Sequence, residues 1–181
     1  MRLFKHVVSL GLLLIGSISI QAQSSFPIDS ETQKIAWVET VTIDSLTKQQ
    51  LYERAKRWMT IYYKSTTFDT DSKESFTVTK TGDFTIALTY DFKYKSQNNI
   101  SYTITINQKD GKYRYKITDV KFYNVASGPK TQLPLEAAYA KMTTQNKNET
   151  TSQVLKEMNA VIADLKNFML KGDVPTTEED W

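Results

Sequence analysis

Apolar and polar residues alternate with a period of two over several long stretches of this chain and recur near 3.6 over others; these periods predict its elements. The clearest run, Ser101 to Val120, reads SYTITINQKDGKYRYKITDV and places two alternating strands around Asp110-Gly111, a strong hairpin signal. With that dipeptide as the turn, Ile104 meets Ile117 and Ile106 meets Tyr115 on one face. Thr105 against Lys116 and Asn107 against Arg114 then form the opposite, wet face. Upstream, Phe76 and Val78 alternate as far as Lys80-Thr81-Gly82, and Phe84, Ile86, Leu88, Tyr90, Phe92 and Tyr94 continue beyond it. A three-residue loop with Gly82 left-handed would pair Val78 with Phe84 and Phe76 with Ile86. A turn over Lys95 to Asn99 would pair Tyr94 with Ile100, Phe92 with Tyr102, Tyr90 with Ile104 and Leu88 with Ile106. Gln33 to Ile43 adds a first strand, with Ile35, Trp37, Val41 and Ile43 on one side and Glu39 interrupting them.

Helical spacing marks two main elements. Thr47 caps the first, Gln50 completes a capping box, and Leu46 with Leu51 supplies a hydrophobic staple. The helix runs to about Tyr62, with Leu51, Ala55, Trp58, Met59 and Tyr62 as its apolar stripe. After a polar connector over Thr143 to Glu149, Thr150 is expected to cap the last helix. Val154, Leu155, Met158, Val161, Ile162, Leu165, Phe168 and Met169 recur along it, and Gly172 and Pro175 end it. Pro134 opens a short helix with Leu135, Ala138, Tyr139 and Met142 on one side. The order argues for an α+β fold: a curved antiparallel sheet of about five strands, with two main helices packed on one face.

The N-terminus changes the electrostatic picture. Arg2, Lys5 and His6 precede an apolar run from Val7 to Ile20, and Ala22 offers a signal-peptidase site, so residues 1–22 read as a signal peptide rather than a membrane anchor. The expected division is a signal peptide at 1–22, one α+β domain at 23–172 and a flexible acidic tail at 173–181. Of 23 Lys+Arg against 20 Asp+Glu, Arg2 and Lys5 leave with the signal, so the basic pI is partly a targeting feature. The near-neutral remainder lacks the excess of positive charge expected of a dedicated nucleic-acid binder. Tyr113 and Tyr115 interleave Lys112, Arg114 and Lys116, but alternation turns the tyrosines away from those cations, so they cannot form a stacking platform beside them.

Candidate chemistry is sparse. The chain has no cysteine, and its one histidine, His6, lies in the signal. A Ser-His-Asp triad, a cysteine nucleophile and an ordinary zinc shell therefore lack their parts, which argues against an enzyme. Asp69, Asp71 and Glu74 cluster in the loop before the long strands; they lack the glycine and glutamate spacing of a calcium loop and read as a solvated turn. No cofactor is implied. Thr105, Asn107, Lys109, Lys112, Arg114 and Lys116 share the hairpin's polar face or flank its turn and form the candidate binding surface.

LYERAKRWM at 51–59 together with YTITINQKDGKYRYKITDV at 102–120 resembles a bacterial family known only as a domain of unknown function with a TATA-binding-protein-like fold. The matching positions are Leu51, Tyr52, Ala55, Trp58 and the run Lys109, Asp110, Gly111, Lys112, Tyr113, Arg114 and Tyr115, within a resemblance from Ile35 to Asp119. It implies a curved antiparallel sheet with helices on its convex face, usually in secreted or envelope proteins of gut-type bacteria; no ligand, partner or activity comes with it. The leading expectation is a non-enzymatic module, exported to the periplasm or cell envelope, that presents its polar sheet face to an envelope protein or glycan, with no nucleic acid and no transmembrane span. The alternatives are a small-ligand or lipid carrier with a cavity between sheet and helices, and a carboxylate- or metal-dependent enzyme at Asp69, Asp71 and Glu74.

Overall fold

The computed structural model describes residues 25–90 and 93–172; the signal segment 1–22, Asp91, Phe92, Pro175 and the tail 173–181 lie outside them. The capping box at Thr47 is formed, its side chain accepting from the Gln50 N–H while the Gln50 side chain accepts from the Thr47 N–H. It opens α1 (Lys48–Tyr62), which follows β1 (Trp37–Thr42). Next come β2 (Thr70–Ser72), β3 (Thr77–Tyr90), β4 (Tyr94–Lys109) and β5 (Lys112–Asn124). The chain then passes through two short 3₁₀ turns to β6 (Leu133–Pro134), α2 (Leu135–Ala140) and α3 (Thr144–Lys171). The sheet is antiparallel in the order β1-β5-β4-β3-β2, with β6 paired to β5 beyond the end of β1.

The β4–β5 hairpin has the expected register, with Ile104 opposite Ile117, Ile106 opposite Tyr115, Thr105 opposite Lys116 and Asn107 opposite Arg114. Gly111 takes the left-handed conformation at its turn, and the turn is held from outside. The Gly111 N–H donates to the Leu46 carbonyl, and an Asp110 carboxylate oxygen accepts from the Lys48 N–H, one of the donors a helix start leaves without a partner. Hairpin and α1 therefore position each other.

Two sequence expectations are corrected. Gly82 is no turn: β3 runs unbroken through it, and Gly82 pairs with Tyr102, because the rings of Tyr63 and Tyr102 lie against the strand where a side chain would otherwise stand. Nor do Lys95 to Asn99 turn; they lie inside β4, Tyr90 pairs with Tyr94, and Leu88 faces Ser96 rather than Ile106. Val78 faces Ile106 and Phe84 faces Ile100. The slip is even, so every side chain keeps its expected face. Asp119 does not oppose Tyr102 as in a regular ladder. A bulge between Ser101 and Thr103 places Asp119 at positive φ with its carboxylate on Lys121, and re-phases the strand so that Val120 is buried instead.

The C-terminal helix also starts earlier than its apolar spacing suggests. Thr143 caps it, and Thr150 lies buried within it. The polar first turns have partners on the sheet: Gln153 accepts from the Ala87 N–H and donates to its carbonyl, and Glu149 accepts from the Thr89 N–H. Side chains of α3 thus take the place of a neighbouring strand along the edge of β3. Gly172, at positive φ, ends the helix, and Arg54 from α1 donates to the Met169 and Leu170 carbonyls there.

All three helices contribute to one core, on the face that carries Ile86, Ile104 and Ile117, each at most 2% exposed. Trp58 of α1 donates its indole N–H to Asp164 of α3 at 2.6 Å, joining the two long helices above that core.

Candidate functional site

The helix-free face of the sheet can be read row by row from its register. Ser72, Thr77, Asn107, Arg114 and Thr40 form one cross-strand row; Thr70, Thr79, Thr105, Lys116 and Val38 form the next; Thr81, Thr103 and Thr118 form a third. These rows carry hydroxyl, amide and cationic groups, and carboxylates enter only past them, with Asp69 on the Thr81 hydroxyl and Asp83 in the next row opposite Ser101. Thr79 and Thr105 hydroxyls lie 3.1 Å apart, and Asn107 donates to the Thr77 hydroxyl at 2.7 Å. The side chains are ordered by one another across the strands.

A depression of about 530 Å³ opens at the hairpin end of this face. Asn107, Lys109, Lys112 and Arg114 line it together with Thr40, Ser75, Thr77, Gln108 and Tyr113. Four of the six expected surface residues therefore meet in one concavity, and Thr105 and Lys116 lie in the adjoining row. Gln108 and Tyr113 are the lining residues that alternation alone did not single out. Both are at least 96% buried, and the Gln108 side-chain carbonyl and the Tyr113 hydroxyl have no hydrogen-bond partner in the protein. Burial, with a smaller contribution from Glu39, pushes the Tyr113 hydroxyl above its ordinary range, so it remains a neutral donor. An amide at a core-phase position of an otherwise apolar strand was the signal for Gln108.

The acidic cluster is not one site. Asp71 pairs with Lys56 at 2.8 Å and accepts from the Tyr52 hydroxyl; these contacts, Lys56 first, hold its carboxyl below the usual range. Tyr52 is pushed up to about 12, by burial first and then by Asp71. Asp69 accepts from the Thr81 hydroxyl, and Glu74 is exposed. Among the described residues no three His, Cys, Asp or Glu side chains are grouped to hold a metal, and no helix is long and apolar enough to cross a membrane.

The space between sheet and helices is filled by the core, with a cleft of about 360 Å³ at one edge, where the end of α1 and the middle of α3 meet β3. Tyr62, Tyr63, Phe84 and Tyr102 wall it, and Glu157 stands at its side.

Residues 37–123, which take in the sheet from β1 to β5 together with α1, match the family model DUF4468, a domain of unknown function with a TBP-like fold. Over those residues the protein matches the DUF4468 family. Two solved structures share its fold. A DUF4468 family protein from Bacteroides ovatus is 14% identical with a TM-score of 0.51; the match covers 76% of this chain and 90% of that one. A TBP-like protein from Parabacteroides distasonis is 16% identical with a TM-score of 0.55, over 78% and 97% of the two chains. No curated protein matches the chain in sequence. At these identities the likeness is one of fold, so the function of this protein has to be argued from its own surfaces.

Proposed function

We propose that this protein is an exported, non-catalytic binding module of the bacterial cell envelope whose open sheet face receives an acidic glycan. The observation that carries the reading is the concavity at the hairpin end, where Lys109, Lys112 and Arg114 converge with Asn107, Thr40 and Thr77. Protein partners are held chiefly by apolar and aromatic anchors in a dry centre. The three rows of this face offer Thr, Ser, Asn, Lys and Arg, with Val38 as their one aliphatic side chain. Hydroxyls and amides suit the hydroxyls of a sugar chain, and the cations suit its carboxylates. The basic and apolar N-terminal segment supports delivery outside the cytoplasm.

Calorimetric titration with polygalacturonate tests this. Saturable binding is expected, weakened more than about tenfold by the paired change Arg114→Glu and Lys116→Glu. Equal binding of neutral dextran, or no effect of the charge reversal, would overturn the reading.

A further inference from the structure

A second cleft, independent of the open face, lies on the helix side of the sheet. Tyr62 and Tyr63 end α1 with their rings nearly perpendicular, centroids 5.0 Å apart and planes at 73°. Trp58 stacks on Tyr62 at 5.2 Å, and its indole N–H is fixed by Asp164. Tyr63 and Tyr102 lie over Gly82, with their hydroxyls 3.1 Å apart, and Phe84 lies beside Tyr102. The result is an aromatic corner built on rigid elements around about 360 Å³ of space, the lower end of the range for small-ligand pockets.

The charges in the cleft are not equivalent. Lys80 reaches into it, but its ammonium is directed at three acceptors, the Thr67 carbonyl at 2.6 Å and the Ser65 and Thr67 hydroxyls at 3.2 and 3.4 Å. An ammonium has three N–H donors, so this one is spent on holding the 65–67 loop. Asp83 accepts from Asn99, and Asp164 accepts from Trp58. Glu157 is half-buried against the aromatic wall, and its carboxylate has no hydrogen bond or ion pair among the described residues. Burial pushes the hydroxyls of Tyr62, Tyr63 and Tyr102 up, so all three remain neutral phenols. Aromatic rings gathered in a corner, with an unpaired carboxylate beside them, offer a cation what water otherwise supplies.

We infer that the cleft bounded by Tyr62, Tyr63, Phe84, Tyr102 and Glu157 is a binding site for a small organic ammonium ion. The aromatic corner receives the alkylated nitrogen and Glu157 balances its charge. Gly82 makes room for the corner and is a positioning residue.

Choline and its uncharged isostere 3,3-dimethyl-1-butanol, titrated into ¹⁵N-labelled protein, separate charge recognition from simple filling of an apolar gap. Choline is expected to shift the Gly82 and Tyr63 amide signals saturably in the millimolar range, and the neutral analogue is not. Glu157→Gln, a conservative change at a half-buried helix position, should weaken choline about tenfold with the rest of the spectrum intact. Tyr62→Leu gives a second arm, since Tyr62 is 38% exposed and its replacement leaves the core in place. Equal shifts from both probes, no saturable shift from choline, or unchanged affinity in both variants would overturn the site.

Discussion

Replacing Gly82 separates two roles that a glycine in a β-rich chain can play. A Cβ built at this position falls 2.5 Å from Cε1 of Tyr63 and 2.8 Å from Cζ and the hydroxyl of Tyr102. Both rings belong to a packed edge of the core, and their hydroxyls are hydrogen-bonded, so neither moves without cost. Forcing a methyl into such a place costs about 1–3 kcal/mol, and loss of the tyrosine pair adds about 1 kcal/mol. Against this, alanine restricts the unfolded chain and returns about 0.4–1 kcal/mol, since Gly82 does not sit at positive φ. The net loss for Gly82→Ala is about 1–3.5 kcal/mol, readable as a lower urea midpoint with unchanged m. Gly82→Asn discriminates more sharply. If Gly82 occupied a left-handed turn, asparagine would be tolerated better than alanine. Under a pair of tyrosine rings its larger side chain is worse. An asparagine variant as stable as the alanine variant, or both close to wild type, would refute the continuous β3.

Other perturbations test the remaining elements. Ile104→Ala should cost about 2–5 kcal/mol as a core truncation, and Thr105→Ala on the open face under about 1 kcal/mol; similar urea midpoints for the two would contradict the assigned faces. Asp119→Gly should be neutral or slightly stabilising, because φ is 53° at the bulge, whereas Asp119→Val should cost more than about 1 kcal/mol; thermal melts that rank glycine below valine would remove the bulge. Tyr52, Tyr63, Tyr102, Tyr113 and Tyr115 all hold their protons more tightly when folded, burial being the first cause in each. Their contribution is complete below the unfolded value of about 10 and is lost as pH rises through the folded values, so phenolate absorbance and loss of circular dichroism should climb together above about pH 10. Ordinary tyrosine titration with a native spectrum retained would contradict that.

The sheet's faces were legible because side-chain direction has a period of two, and even a ten-residue error in β3–β4 register leaves that parity intact. The register itself was not legible. The apolar alternation runs on from Phe84 past Leu88 with nothing to fix where the strand turns, and Gly82 imitated a turn because a glycine needed for close ring approach looks, in sequence, like one needed for its backbone. Thr150 imitated a helix cap for a related reason. The polar residues before it form helix because Glu149 and Gln153 bond the edge of β3, a tertiary contact that local pattern does not encode. The hairpin residues of the open face were found by alternation alone, while Gln108 and Tyr113, at core-phase positions, were seen to line the depression only in the structure. The aromatic corner escaped notice because Tyr62-Tyr63, Tyr102 and Glu157 come from three separate elements.

The face opposite the helices is the surface proposed to bind the acidic glycan. Amide chemical-shift mapping during titration with polygalacturonate tests it most directly. The account expects perturbations at Thr40, Thr105, Asn107, Arg114 and Lys116, fading toward α1 and α3; shifts concentrated on the helices, or none at saturating glycan, would contradict it.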